Sequence, residues 1–201
     1  MSRSLESLRM SVRRSLPELA EISDEGLREK VVEIHAIALS ETEFERLEDI
    51  PEPQDIPGAI ALRFGTQVDH YRAVARMATA LADALEAVYG SLDIDRDILI
   101  ASALCHDAGK AFEFSFRNQG RWKKNRAFAG YPAVRHPVYG VHLGLVVGLP
   151  EQVIHCIGGH SMHGEGALIE SSLEGMIVKY CDNSFWRILE RAWERRQASS
   201  G

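Results

Sequence analysis

Apolar residues return every three or four positions along most of this chain, and that spacing predicts helices throughout. Leu5, Leu8, Val12 and Leu16 form a narrow stripe opposite Arg3, Arg9, Arg13 and Arg14, and Pro17 ends it. A second helix is predicted over 24–39, with Leu27, Val31, Ile34 and Ala38 on one face. Ser40 and Glu43 have capping-box spacing for a short third helix as far as Leu47. Pro51, Pro53 and Pro57 then exclude helix and mark a connector over 51–58. A long helix is predicted from Thr66, whose capping partner is Asp69, to Tyr89 before Gly90, with Val74, Met77, Leu81, Leu85 and Val88 as its inward stripe.

The run Ile98-Leu99-Ile100-Ala101-Ser102-Ala103-Leu104-Cys105 is apolar on every side and predicts a central buried helix that Gly109 stops. Residues 111–131 switch to Phe112, Phe114, Phe116, Trp122 and Phe128 mixed with arginines and lysines, and read as a loop. Pro137 fits a first helical position and places His136 at the start of a helix ending near Gly148. Pro150 opens the next, where Val153, Cys156 and His160 share a face, and Ser171 with Glu174 caps the last.

The fold class is therefore all-α. Residues 1–60 are expected to be an N-terminal helical extension plus connector, and 61–197 a helical domain. A chain of 201 residues, 45% hydrophobic and 26% charged, can bury one sizeable core. Its net charge of -6 argues against general nucleic-acid binding or a membrane-surface role, both of which need a basic excess. No apolar run is long enough to span a bilayer and no secretory core is seen, so a cytoplasmic protein is expected. Cys105, Cys156 and Cys181 are odd in number and widely spaced, which fits small buried filler better than disulfides or a thiolate metal site. The stripe Leu5, Leu8, Val12, Leu16 is available either to the chain's own core or to a second copy in a homodimer.

Several polar residues sit where this pattern wants apolar ones. Stepping back four from Val74 lands on His70, which alone would read as a core histidine bonded to a carbonyl. His106 and Asp107 end the buried helix, His136 and His160 lie at helix ends, and Asp182 lies in line with Val178, Phe185, Trp186, Leu189 and Trp193. Buried imidazoles and carboxylates need a partner or a cation. Iron, manganese, zinc or nickel suits this donor set, and two divalent ions sharing Asp107 would use all six residues. Lys110, one turn beyond His106, reads either as a solvated helix-end lysine or as an ammonium in the same cavity. Arg117 and Lys123, interleaved with aromatics, suit a phosphorylated ligand or an ordinary surface. His163, in a glycine-rich segment, is a candidate substrate contact or a substitute for His160. His35 reads as a satisfied surface or boundary histidine, and His142 and His155 face away from the candidate ligands.

The order His70, His106-Asp107, Asp182 resembles the H…HD…D signature of the HD-domain superfamily of metal-dependent phosphohydrolases, over roughly residues 60–190. His106-Asp107-Ala108-Gly109-Lys110 resembles its H-D-x-G-K form. His136-Pro137-Val138-Tyr139-Gly140, Leu149-Pro150-Glu151 and His160 are similar to the branch with two extra histidines and a binuclear centre. After His160 the chain reads Ser161-Met162-His163-Gly164-Glu165-Gly166, without the adjacent histidine or G-Y-P triplet of the HD-GYP group, so cyclic di-GMP is not the implied substrate. The resemblance implies an HD-domain-like helical bundle carrying additional N-terminal helices. It also implies hydrolysis of a phosphoester, in a nucleotide or small phosphorylated metabolite, by a metal-activated hydroxide. Asp107 and Lys110 would be catalytic, with Lys110, Arg117, Lys123 and His163 meeting the substrate. His70, His106, Asp107, His136, His160 and Asp182 would hold two ions, of iron or manganese first and zinc, nickel or cobalt after them. Two other classes share the pattern: a mixed-valent di-iron oxygenase with the same ligands, and a non-catalytic nucleotide-binding regulatory module.

Overall fold

A computed structural model of the chain describes residues 4–51, 65–127, 132–161 and 171–198. The connector beyond Pro51 and His163 lie outside the described residues. In chain order the helices are α1 (Leu5–Ser15), α2 (Glu25–Ser40), α3 (Gln67–Tyr89), α4 (Arg96–Cys105), α5 (Lys110–Phe114), α6 (Phe116–Lys124), α7 (His136–Val147), α8 (Glu151–Gly159) and α9 (Leu173–Ala198). Short 3-10 turns cover Pro17–Glu21 and Leu47–Asp49, and no strand occurs among the described residues.

Helix α4 is the centre of the bundle. Asp95 caps it by accepting from the Ile98 amide, and every residue from Ile98 to Cys105 is buried. Around it pack α2, α3, α8 and α9, while α7 lies against α2, α5 and α8. Its last carbonyls, which have no partner inside the helix, are met from outside: His35 Nε2 donates to the Leu104 carbonyl at 2.9 Å and His106 Nδ1 to that of Ala103 at 2.7 Å. His35 is thus a buried residue in α2, where a surface or boundary position was expected.

Burial lowers the His35 pKa from 6.5 to about 4, against the raising effect of its bond to Leu104. The folded state binds that proton more weakly than the unfolded one. The resulting stabilisation is complete above about pH 6.5 and is lost as pH falls towards 4, amounting to at most ~3 kcal/mol. Urea midpoints measured at pH 7 and pH 4 should therefore differ less in His35→Gln than in the parent; equal differences would rule out this account.

The N-terminal region shares one apolar cluster with the rest. Leu8, Val12 and Leu16 are buried within this chain, so its own core covers the stripe that sequence offered to a second copy. The buried Glu18 accepts from Arg72 and Arg76 on α3, and Asp97 of α4 accepts from the amides of Ser23 and Asp24. No described helix is long and apolar enough to cross a membrane.

Several expectations are corrected. No third helix follows Ser40: residues 41–43 turn, and the Glu43 carboxylate reaches across to accept from Ser115 Oγ and the Phe116 amide. Residues 110–114 and 116–124 are helical (α5 and α6) rather than loop, with Trp122 buried and Phe112 stacked on Tyr139 of α7 at 4.0 Å. The buried face of α3 runs through Tyr71, Val74, Ala75, Ala78 and Ala82, whereas Val88 is 73% exposed and Leu81 37%. Small side chains line the face against α4 and α9 because helices approach closely only over them. Ser172, not Ser171, caps α9 by accepting from the Gly175 amide, and Glu174 instead accepts from the Asp95 amide.

Gly109 has an ordinary backbone (φ -72°) and precedes α5, so it does not stop a helix by left-handed geometry. Its role is a close approach. A β-carbon there would lie 2.8 Å from the His136 carbonyl carbon, 2.9 Å from its α-carbon and closer still to its oxygen.

Candidate metal centre

All six expected ligands converge around one end of α4. His106 is the C-cap of α4 and Asp107 begins the turn after it; α3 brings His70, the start of α7 His136, the end of α8 His160, and α9 Asp182. They form two clusters that could each hold a cation: His70, His106 and Asp182, and Asp107, His136 and His160. Asp107 faces both. Its Oδ2 lies 3.2 Å from His70 Nε2 and 3.5 Å from His106 Nε2, while its Oδ1 lies 3.1 Å from His136 Nε2 and 3.4 Å from His160 Nε2. Asp182 Oδ1 is 3.3 Å from His70 Nε2 and 3.9 Å from His106 Nε2.

The donors fit a metal on hydrogen-bonding grounds. His106 and His160 point Nδ1 at the Ala103 and Ile157 carbonyls, and His136 points Nδ1 at the Glu113 carboxylate, so in the neutral rings those nitrogens carry the protons and Nε2 is bare. Yet His136 Nε2 and His160 Nε2 stand 3.3 Å apart, two lone pairs face to face. A cation held between them would turn that repulsion into coordination. Donors about 2.1 Å from one ion and at right angles lie about 3.0 Å apart, close to the spacings within each cluster. With only imidazole and carboxylate donors present, the arrangement suits iron, manganese, zinc, nickel or cobalt rather than copper(I) or an iron–sulfur cluster.

The charges show the same demand for a cation. Burial pushes the His70 pKa down, but Asp107 and Asp182 outweigh it and raise it to about 9, so the two carboxylates favour positive charge in that half. Burial raises Asp182 and the bond to His70 overrides this, holding it at about 2. Asp107 is held well below the usual carboxylate range, burial being outweighed by Lys110, His106 and His136. His160 is lowered, chiefly by burial.

Four supporting residues escaped the sequence reading. Gln67 Nε2 donates to Asp107 Oδ2 at 3.1 Å, and the Tyr71 hydroxyl donates to the Asp107 carbonyl at 2.9 Å. Trp186 Nε1 donates to Asp182 Oδ1 at 3.1 Å. Glu113 Oε2 accepts from both the amide and Nδ1 of His136, each at 2.6 Å. Gln67 and Tyr71 lie three before and one after His70 in α3; Trp186 is one turn beyond Asp182 and could have been found by that spacing.

Of the expected substrate contacts, Lys110 is buried with Nζ 3.6 Å from Asp107 Oδ2 and over the Phe114 ring. Arg117 donates to the Glu41 carbonyl, Lys123 is exposed on α6, and neither belongs to the converging group. His142 and His155 are exposed. All three cysteines are free and buried, and burial pushes the thiols up, to about 12 for Cys156 and about 11 for Cys181.

The sequence pattern of the HD domain family matches residues 68–185, which carry all six of these side chains. This chain belongs to the HD domain family, an all-α fold. It is similar to the dihydroneopterin 2',3'-cyclic phosphate phosphodiesterase of Methanocaldococcus jannaschii, with 30% identity over 137 residues. That alignment takes in 68% of this chain and 52% of the relative, so the chain spans about half the relative's length. No solved structure gave a significant match.

Proposed function

We propose that this protein is a metal-dependent phosphohydrolase that cleaves a phosphoester in a nucleotide or a small phosphorylated metabolite. The observation that carries the reading is Asp107, whose two oxygens each face a separate set of imidazoles, as a carboxylate shared by two cations would. His70, His106 and Asp182 would hold one ion and His136 and His160 the other, with Asp107 common to both; iron or manganese is the first expectation. When bound, the ions supply Lewis acidity, lowering the pKa of water and drawing charge from the phosphoryl oxygens.

The chain's own residues do the rest. Gln67 and Tyr71 fix the orientation of Asp107, Trp186 that of Asp182, and the Nδ1 bonds aim each Nε2 of His106, His136 and His160 inwards. Lys110, buried beside Asp107, would meet a phosphoryl oxygen and help carry the negative charge that builds there. The similar phosphodiesterase favours hydrolysis of a cyclic or linear phosphoester over the di-iron oxygenase reading, and an intact ligand set argues against a purely regulatory module.

Elemental analysis of protein purified without a chelating tag should give close to two ions per chain. A screen of phosphomonoesters, nucleotides, cyclic nucleotides and 2',3'-cyclic phosphates should find chelator-sensitive turnover that is equal with and without oxygen. Turnover that needs oxygen would overturn the assignment, as would hydrolysis that survives complete loss of metal.

A further inference from the structure

The two halves of the centre are unequal in their own charge. One has Asp182 as well as the shared Asp107; the other has Asp107 and two imidazoles. Behind the second half, however, stands Glu113 on α5, buried and accepting from the His136 amide and Nδ1 at 2.6 Å each. Its other oxygen lies 3.2 Å from Arg135 Nε. Of the four candidate-ligand imidazoles, His136 is the one backed by a carboxylate, since His106 and His160 rest on carbonyls and His70 Nδ1 has no hydrogen-bond partner among the described residues.

We infer that Glu113 is a positioning residue that makes the second half of the centre a metal site: it supplies, one imidazole away, the negative charge that Asp182 gives the first half directly. The physical reason is twofold. A carboxylate on Nδ1–H raises the electron density at Nε2 and so its affinity for a cation. The second bond, from the backbone amide of the same residue, fixes the helix start and the ring together, so that Nε2 stays aimed at Asp107 Oδ1. The stacking of Phe112 on Tyr139 keeps α5 against α7, so that Glu113 has little freedom to leave. This inference rests on the two-ion reading above.

The test is titration of chelator-stripped protein with Mn²⁺ alone, followed calorimetrically, in the parent, Glu113→Gln and Glu113→Asp. The glutamine keeps the shape and an acceptor but removes the charge. The parent should take up two equivalents. Glu113→Gln should take up one as the parent does and the other with about 10–100-fold weaker affinity, with Glu113→Asp lying between. His160→Ala, which removes a ligand from the same half, should lose the same equivalent, and Asp182→Ala the opposite one. Two equivalents of parental affinity in Glu113→Gln would overturn the inference while leaving the two-ion reading intact. So would equal weakening of both equivalents together with a lowered melting temperature of the stripped protein, which would make Glu113 merely structural. A parent that takes up fewer than two equivalents would sink the two-ion reading and this inference together.

Discussion

Replacing Asp107 by Asn should reduce bound metal from two ions to at most one and lower kcat/KM by about a thousandfold or more, the scale seen when a preorganised electrostatic group is removed from a site. The substitution keeps the size of the side chain but removes the charge that both halves share. It also leaves Lys110 without its carboxylate neighbour. The backbone carbonyl that Tyr71 holds is untouched, so the helical circular dichroism should match the parent. Plasma emission analysis and a steady-state assay on the same preparation decide the matter. Undiminished turnover by a variant free of metal would remove the basis for the whole centre.

The second large effect is expected at Gly109. A β-carbon there meets backbone atoms of His136, and no side chain can rotate to relieve it. Gly109→Ala must push the start of α7 away, at a cost of about 1–3 kcal/mol, which in a domain of this size lowers the melting temperature by roughly 3–10 °C. Because the displaced residue is itself a candidate ligand, the ion beside His136 and His160 should be lost at the same time. Gly120, in the middle of α6, is the control: a β-carbon there meets nothing within 4 Å, and Gly120→Ala should stabilise by ~0.5–1 kcal/mol. If both variants melt like the parent, the packing assigned to Gly109 is wrong.

The six inward-facing polar residues were legible because each interrupts an apolar stripe or ends an apolar helix, and such interruptions require compensation. Helix starts at Asp24 and Thr66 follow local cap chemistry, which a short window of sequence contains. What escaped reading depends on contacts across the fold. Glu113 sits between two phenylalanines and gives no local sign that His136 lies over it. Glu43 has the spacing of a cap for its own segment yet caps one 72 positions away, because the turn after α2 brings it there. On α3 the large apolar residues drew attention to the wrong face. The buried one combines Tyr71 and Val74 with Ala75, Ala78 and Ala82, and the alanines let α4 and α9 approach closely.

The two clusters also differ in when they can exist during synthesis. Asp107, His136 and His160 are close enough in sequence to meet once α8 has emerged, whereas His70 and His106 must wait for α9 to deliver Asp182. On the two-ion reading proposed above, a nascent chain would load one cation ahead of the other, with α9 as the piece that completes the second cluster.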